Sequence, residues 1–163
     1  MITLPRTLKI IEDDTFRECK SLKTLEFPEG LEKIGLEAFT NSGLENVEFP
    51  ASLKTIAQAA FATCESLKTV KFNEGLEVIG TDEYDDDGGI WPGVFMKSAL
   101  ENIEFPSTLK RIEYCAFENC KSLKSITLPD KLEYIGECCF SESALEFIRF
   151  PPALKTIGIS AFD

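Results

Sequence analysis

Apolar positions along this 163-residue chain recur with a long period, neither the 3.6 of a helix nor a sustained 2. The unit Leu-x-x-Ile followed by an Ala-Phe-like pair occurs seven times. Its leading leucines are Leu8, Leu31, Leu53, Leu76, Leu109, Leu132 and Leu154, and its phenylalanines are Phe16, Phe39, Phe61, Phe95, Phe117, Phe140 and Phe162. The step between successive phenylalanines is nearly constant, and only the step from Phe61 to Phe95 is longer. A second column follows six of the copies as Leu-x-x-(Leu/Val/Ile)-x-(Phe/Leu): Leu22 to Phe27, Leu44 to Phe49, Leu67 to Phe72, Leu100 to Phe105, Leu123 to Leu128 and Leu145 to Phe150. Twelve of the 13 phenylalanines fall in the two columns, and Phe147 alone lies outside.

Each unit reads as one rung. Alternation in Leu25-Glu26-Phe27 predicts a strand with one buried face. Pro28, Pro50, Pro106, Pro129 and Pro151 then stop it. Leu31 to Gly35 predicts a second, shorter strand, and the residues leading to Ala-Phe predict a single helical turn. A rung of about 22 residues cannot bury its own phenylalanines, whereas stacked rungs can. Each buried Phe then contributes roughly 1.5–3 kcal/mol by area transfer.

Charge supports the stack independently. After the first leucine stand Lys9, Glu32, Lys54, Glu77, Lys110, Glu133 and Lys155; after the second stand Lys23, Glu45, Lys68, Glu101, Lys124 and Glu146. Both series alternate in sign throughout. In a parallel stack with strands about 4.8 Å apart, every Lys faces a Glu, and a slip of one rung sets like charges together. The alternation also defines a two-rung unit of about 45 residues: odd rungs carry Cys19, Cys64 or Cys120, and even rungs carry Ser42, Ser98 or Ser143.

The segments Leu-Lys-Arg-Ile-Glu-Tyr-Cys-Ala-Phe-Glu-Asn-Cys (109–120) and Cys-Lys-Ser-Leu-Lys-Ser-Ile-Thr-Leu-Pro (120–129) resemble the BspA-type, or Treponema-type, leucine-rich repeat. The resemblance implies a curved leucine-rich-repeat solenoid, α/β but mostly β. A parallel sheet would line the concave face, with short strands and single helical turns on the convex side. Each rung takes about 22 residues, in some copies one more. The resemblance covers nearly the whole chain apart from an 11-residue insertion within 81–93, and residues 1–163 read as one solenoid domain of about six and a half rungs. Proteins of that family are often surface-exposed in bacteria and some parasitic protists, where they act in adhesion and host-molecule binding. The family motif is structural, so no residue-level function follows from it. The buried Asn of the commoner leucine-rich repeat is replaced here by Gly30, Ser52, Gly75 and similar residues, so no asparagine ladder is expected.

Composition narrows the functional classes. Apolar residues are 44% of the chain, enough for a core. No apolar run approaches the roughly 18 residues of a membrane span, and the opening Met1 to Pro5 lacks the basic and apolar regions of a signal peptide. A net charge of −11 opposes nucleic-acid binding, which needs clustered Lys and Arg. Histidine is absent, as are G-x-S-x-G and a Gly-rich phosphate loop, so no nucleophile–base set points to an enzyme and no cofactor is implied.

The six cysteines follow the repeat. Cys19, Cys64 and Cys120 share a column on alternate rungs, about 10 Å apart, beyond disulfide reach; they read as small buried side chains. Cys139 replaces a core alanine. Cys115 and Cys138 share a column on adjacent rungs and are the one pair within bridging distance. Without Cys-x-x-Cys pairs or histidines, a zinc site is not expected.

Three places are candidates for function. The insertion, Thr81 to Gly93, holds five carboxylates, Tyr84 and the only Trp, Trp91. Tyr84 and Trp91 are aromatic anchors for a recognition loop. Glu83, Asp85 and Asp87 imitate the start of a calcium loop, but the twelfth position is Val94 and no flanking helices are expected, so the metal reading is weak. The same segment is equally a solvated acidic loop. The concave face should present two columns, Thr24, Asn46, Thr69, Asn102, Ser125 and Phe147, and Glu26, Glu48, Lys71, Glu104, Thr127 and Arg149. Glu26, Glu48 and Glu104 make its early part acidic, and Phe147 beside Arg149 forms an aromatic–basic candidate. Neither end of the sequence reads as a polar cap, so association of copies through the ends, as a homodimer or array, is a structural alternative. The leading expectation is a non-catalytic solenoid binding a protein or glycan, at the cell surface by family resemblance.

Overall fold

The structure, a computed structural model, describes residues 2–81 and 92–163. Their chain winds into parallel rungs with ten short strands: β1 (Ile10–Ile11), β2 (Lys33–Ile34), β3 (Asn46–Phe49), β4 (Thr55–Ile56), β5 (Thr69–Phe72), β6 (Val78–Ile79), β7 (Asn102–Glu104), β8 (Arg111–Ile112), β9 (Tyr134–Ile135) and β10 (Thr156–Ile157). All pairings are parallel, each between one rung and the next. The concave sheet is β3-β5-β7, with Asn46 beside Thr69 beside Asn102 and Glu48 beside Lys71 beside Glu104. A single parallel bridge, Ser125 to Phe147, continues it across the next two rungs. The shorter strands stack as β1-β2-β4 and as β6-β8-β9-β10.

The core is the two phenylalanine columns. Phe16, Phe39, Phe61, Phe95, Phe117, Phe140 and Phe162 stack with centroids 4.9–5.4 Å apart and planes within 16° of parallel. Phe27, Phe49, Phe72 and Phe105 form the second stack, at 5.0–6.3 Å. The columns meet edge to face, as in Phe49 on Phe61 at 5.5 Å. These offset-stacked and edge-on arrangements are the ones the ring quadrupole favours. Leu31, Leu53, Leu109 and Leu132, with Ile34, Ile56, Ile112 and Ile135, fill the space beside them and are fully buried.

The expected helical turn before each Ala-Phe is absent among the described residues; those segments are chains of turns. The reason lies in where the amides point. Every second N–H leaves its own rung: Phe16, Phe39, Phe61, Phe95, Phe117 and Phe140 each donate to a carbonyl of the next rung at 2.7–2.8 Å. The intervening amides close short turns within the rung, as Thr40 N to Glu37 O at 3.0 Å and Ser42 N to Phe39 O at 3.0 Å. Left-handed residues stand on both sides of Phe16, Phe39, Phe61, Phe117 and Phe140, after Phe95 and before Phe162. Asp14, Glu37, Ala59, Cys115, Cys138 and Ser160 form one such column, and Glu18, Asn41, Thr63, Lys97, Asn119 and Glu142 the other, all with φ of 50–59°. Lengthwise hydrogen bonding along the stack therefore displaces the helical i to i−4 pattern.

Rung four departs from its neighbours. Asn73 stands where most other rungs have proline, and Gly75 and Gly80 take φ of +119° and +94°. A β-carbon on Gly75 would lie 2.8 Å from the Ala51 carbonyl oxygen. The hydrogen-bonded order of the short strands breaks between β4 and β6, at the rung that carries the insertion.

Candidate ligand-binding face

On the concave sheet, strand pleating turns alternate side chains outward. Val47, Val70 and Phe49 point inward and are buried, while Asn46, Glu48 and Lys71 face solvent. Within the central three rungs the outward side chains largely satisfy one another. Thr69 Oγ1 donates to Asn46 Oδ1 at 2.5 Å, and Lys71 Nζ lies 2.8 Å from Glu48 Oε1. The hydrogen bond and charge of Lys71 hold the Glu48 carboxyl below its ordinary range, and Glu48 in turn raises the Lys71 ammonium. This part forms an open groove of about 670 Å³ bounded by Asn46, Glu48, Lys71, Asn102 and Glu104.

The sixth rung differs. Phe147 is 82% exposed on the same face, in register with Ser125. Arg149, two residues on, is exposed on that face as well. Phe150 points to the other side and meets Phe162 edge to face at 5.7 Å. With about 4.8 Å per rung, Phe147 and Arg149 stand roughly 10 Å along the stack from Asn102 and Glu104. Glu26, Glu48 and Glu104 are exposed in one column with Arg149, so the face runs from acidic to aromatic and basic.

The charge ladders on the rims are realised in part. Glu32 bridges Lys9 and Lys54, each at 2.9 Å; Lys110 meets Glu77 at 2.9 Å and Lys155 meets Glu133 at 2.7 Å. Hydrogen bonds from Lys9 and Lys54, reinforced by their charges, lower the Glu32 carboxyl to about 2. In the second series Lys23 pairs with Glu45 and Lys68 with Glu101.

Buried cysteines behave as core groups. Cys64 Sγ donates to Phe39 O at 3.1 Å and Cys120 Sγ to Phe95 O at 3.3 Å, with Ser42 and Ser98 hydroxyls alongside. Burial pushes the Cys120 thiol up to about 11. Cys139 is fully buried, whereas Cys19 is only partly so. Cys115 and Cys138 are free thiols.

Tyr84, Trp91, Glu83, Asp85 and Asp87 lie outside the described residues. Among the described residues no group of three or more Cys, Asp or Glu is placed to hold a metal ion, and no helix is long and apolar enough to cross a membrane. One feature was not anticipated from sequence: Glu113 is 3% exposed, its Oε1 2.6 Å from Arg111 Nε, and Arg111 lies 4.0 Å over the Tyr134 ring. The signal for it is a column of small residues, Gly35, Ala57, Gly80, Gly136 and Gly158, that Glu113 interrupts.

The repeat geometry agrees with comparison to known proteins. The model of the BspA type leucine rich repeat region, in six copies, matches residues 1–86 and 89–163. The chain belongs to the BspA-type leucine-rich repeat family. Among solved structures it is similar to a leucine-rich repeat protein from Bacteroides ovatus, at 30% identity and TM-score 0.84, over 99% of this chain and 39% of that one. It is also similar to the T. pallidum leucine rich repeat protein, at 26% identity and TM-score 0.56, over 93% of this chain and 54% of that one. A third, from Eubacterium ventriosum, shares the fold at 24% identity and TM-score 0.67, over 93% of this chain and 44% of that one. The chain thus spans between about two fifths and a little over half the length of these proteins. No curated protein matches it.

Proposed function

We propose that this BspA-type solenoid is a non-catalytic binding module, displayed at the cell surface, that takes a protein or glycan on its concave face. Phe147 carries the reading. It is the one phenylalanine that neither spine uses, and a ring 82% exposed on a strand face has no packing reason to be there. Aromatic and Arg side chains are the usual anchors of interfaces, and a phenyl face also stacks on the C–H face of a sugar. Arg149 beside it adds a planar donor for a carboxylate or hydroxyl cluster. Glu26, Glu48 and Glu104 set charge selection toward partners that are not strongly acidic.

The test is a glycan array together with a panel of extracellular-matrix proteins, probed with the wild-type chain and with Phe147→Ala. Binding that falls at least tenfold in Phe147→Ala supports the reading; a ligand bound equally by both overturns the assignment to this face.

Self-association is favoured by a separate observation. Ile157 is 46% and Ile159 75% exposed on the seventh rung, and Phe150 on the sixth is half-exposed. A further rung of a longer chain would cover the same side chains, so light scattering of this chain and of Ile159→Ser is the test. A dimer of this chain that Ile159→Ser abolishes supports association of copies through this face, and a strict monomer at high concentration removes the reading.

A further inference from the structure

We infer that Cys115 and Cys138 form an oxidisable dithiol, a site of reversible disulfide formation that ties rung five to rung six. They hold the same position on adjacent rungs: the Cys115 amide donates to the carbonyl of Glu137, the residue before Cys138, at 3.0 Å. The two thiols are close enough to act electrostatically on each other. In-register parallel segments place the α-carbons about 4.8 Å apart, inside the range a disulfide spans. Closing the bond brings the β-carbons together by about 1 Å from that spacing, which leaves the bridge strained and readily reduced.

The pair is set apart from the other cysteines. Cys64 and Cys120 are held by carbonyl and serine partners on alternate rungs, and Cys139 is fully buried in the core. Packing does not explain two cysteines here, because the column of left-handed residues also accepts Asp14, Glu37, Ala59 and Ser160. On the far side of Cys115 the adjacent rung offers Gly93, which carries no thiol, and the other nearby cysteine, Cys139, is fully buried. Cys138 is partly exposed and Cys115 is 2% exposed, so a small-molecule disulfide reaches Cys138 first. The Cys138 thiolate attacks it and releases one thiol, leaving a mixed disulfide. The Cys115 thiolate then attacks the Cys138 sulfur and releases the second thiol. One disulfide is reduced to two thiols as the protein dithiol is oxidised. Burial, with Glu118 and Glu137 nearby, holds both thiols above their ordinary range, so the exchange is slow at neutral pH and quickens as pH rises.

The experiment incubates the full chain with glutathione disulfide at pH 8, blocks remaining thiols by alkylation, and maps bridges by fragmentation mass spectrometry. We expect a Cys115–Cys138 bridge at least ten times more abundant than any other pairing and removed by dithiothreitol. In Cys115→Ser a glutathione adduct should persist on Cys138, while Cys138→Ala should leave Cys115 unmodified. Serine and alanine already occur in this column, so both variants should fold. A wild-type chain that keeps the adduct on Cys138 without a bridge, stays fully reduced, or bridges Cys139 or Cys120 instead overturns the proposal.

Discussion

The central concave rungs and the sixth rung present the same kind of surface and use it differently. On β3, β5 and β7 the outward side chains pair with each other, Thr69 with Asn46 and Lys71 with Glu48, over a continuous ladder. Across rungs five and six the ladder shrinks to the Ser125–Phe147 bridge, and Phe147 lies open to solvent. A self-satisfied surface has little to gain from a partner, because binding must first break its internal contacts. A bare ring beside Arg149 gains burial without that cost. The difference separates a region whose side chains are committed to the stack from one whose ring is not.

Removing one ring from each region should have very different costs. Phe61→Ala opens a cavity inside the first spine and should cost roughly 3–5 kcal/mol in chemical denaturation. Phe147→Ala should change stability by less than about 0.5 kcal/mol, as an exposed substitution away from packing. Similar costs for the two would place Phe147 in the core and refute the exposed anchor.

A smaller effect probes the rim charges. Lys68→Ala removes one partner of an exposed pair and should cost under about 1 kcal/mol, less in high salt. Substituting Lys68→Glu sets it against Glu45 and Glu101 and should lower the melting temperature further; no added loss would mean that the alternation does not guard register.

The left-handed columns offer a change of opposite sign. Thr63 is β-branched with φ of 54°, a conformation asparagine accepts more readily and already adopts at Asn41 and Asn119. Thr63→Asn should therefore raise stability, by about 0.5–1 kcal/mol. A loss would show that the Thr63 methyl packs in a way that outweighs backbone strain.

The slightest expected change is in pH dependence. Glu32 is lowered from 4.5 to about 2 by Lys9 and Lys54. A depressed carboxylate stabilises the fold fully above its unfolded value and loses that contribution as pH falls toward the folded one. The melting temperature should drop between about pH 4.5 and 2, and Glu32→Gln should flatten part of that drop. An unchanged profile in the variant would show that other carboxylates carry it; Glu48, Glu74 and Glu133 are lowered too.

Much of this was legible in the chain itself. The twelve columnar phenylalanines, the alternating Lys and Glu, and the Cys–Ser alternation each follow the rung period, and each is a stacking relation that the structure reproduces. The candidate face was legible as far as Glu48, Glu104, Phe147 and Arg149, because strand alternation fixes which residues point outward. The burial of Glu113 was not, since a lone acid after Ile112 reads as a surface residue until Gly80 and Gly136 are seen stacked on either side of it. The turn geometry was also hidden. Glu37, Ala59 and Cys138 carry no common left-handed preference, so local propensity points elsewhere.

What the sequence determined alone is the period and the register. Large side chains repeated once per rung have one efficient way to leave water, which is to stack, and opposite charges fix which rung lies on which. Tertiary structure decided the path of the backbone between those columns. Once rungs are stacked, an amide bonded along the stack is worth more than one bonded within a rung, so the would-be helical turns unwind into alternating left- and right-handed residues. That choice depends on neighbours a full rung away, which no local stretch of chain contains.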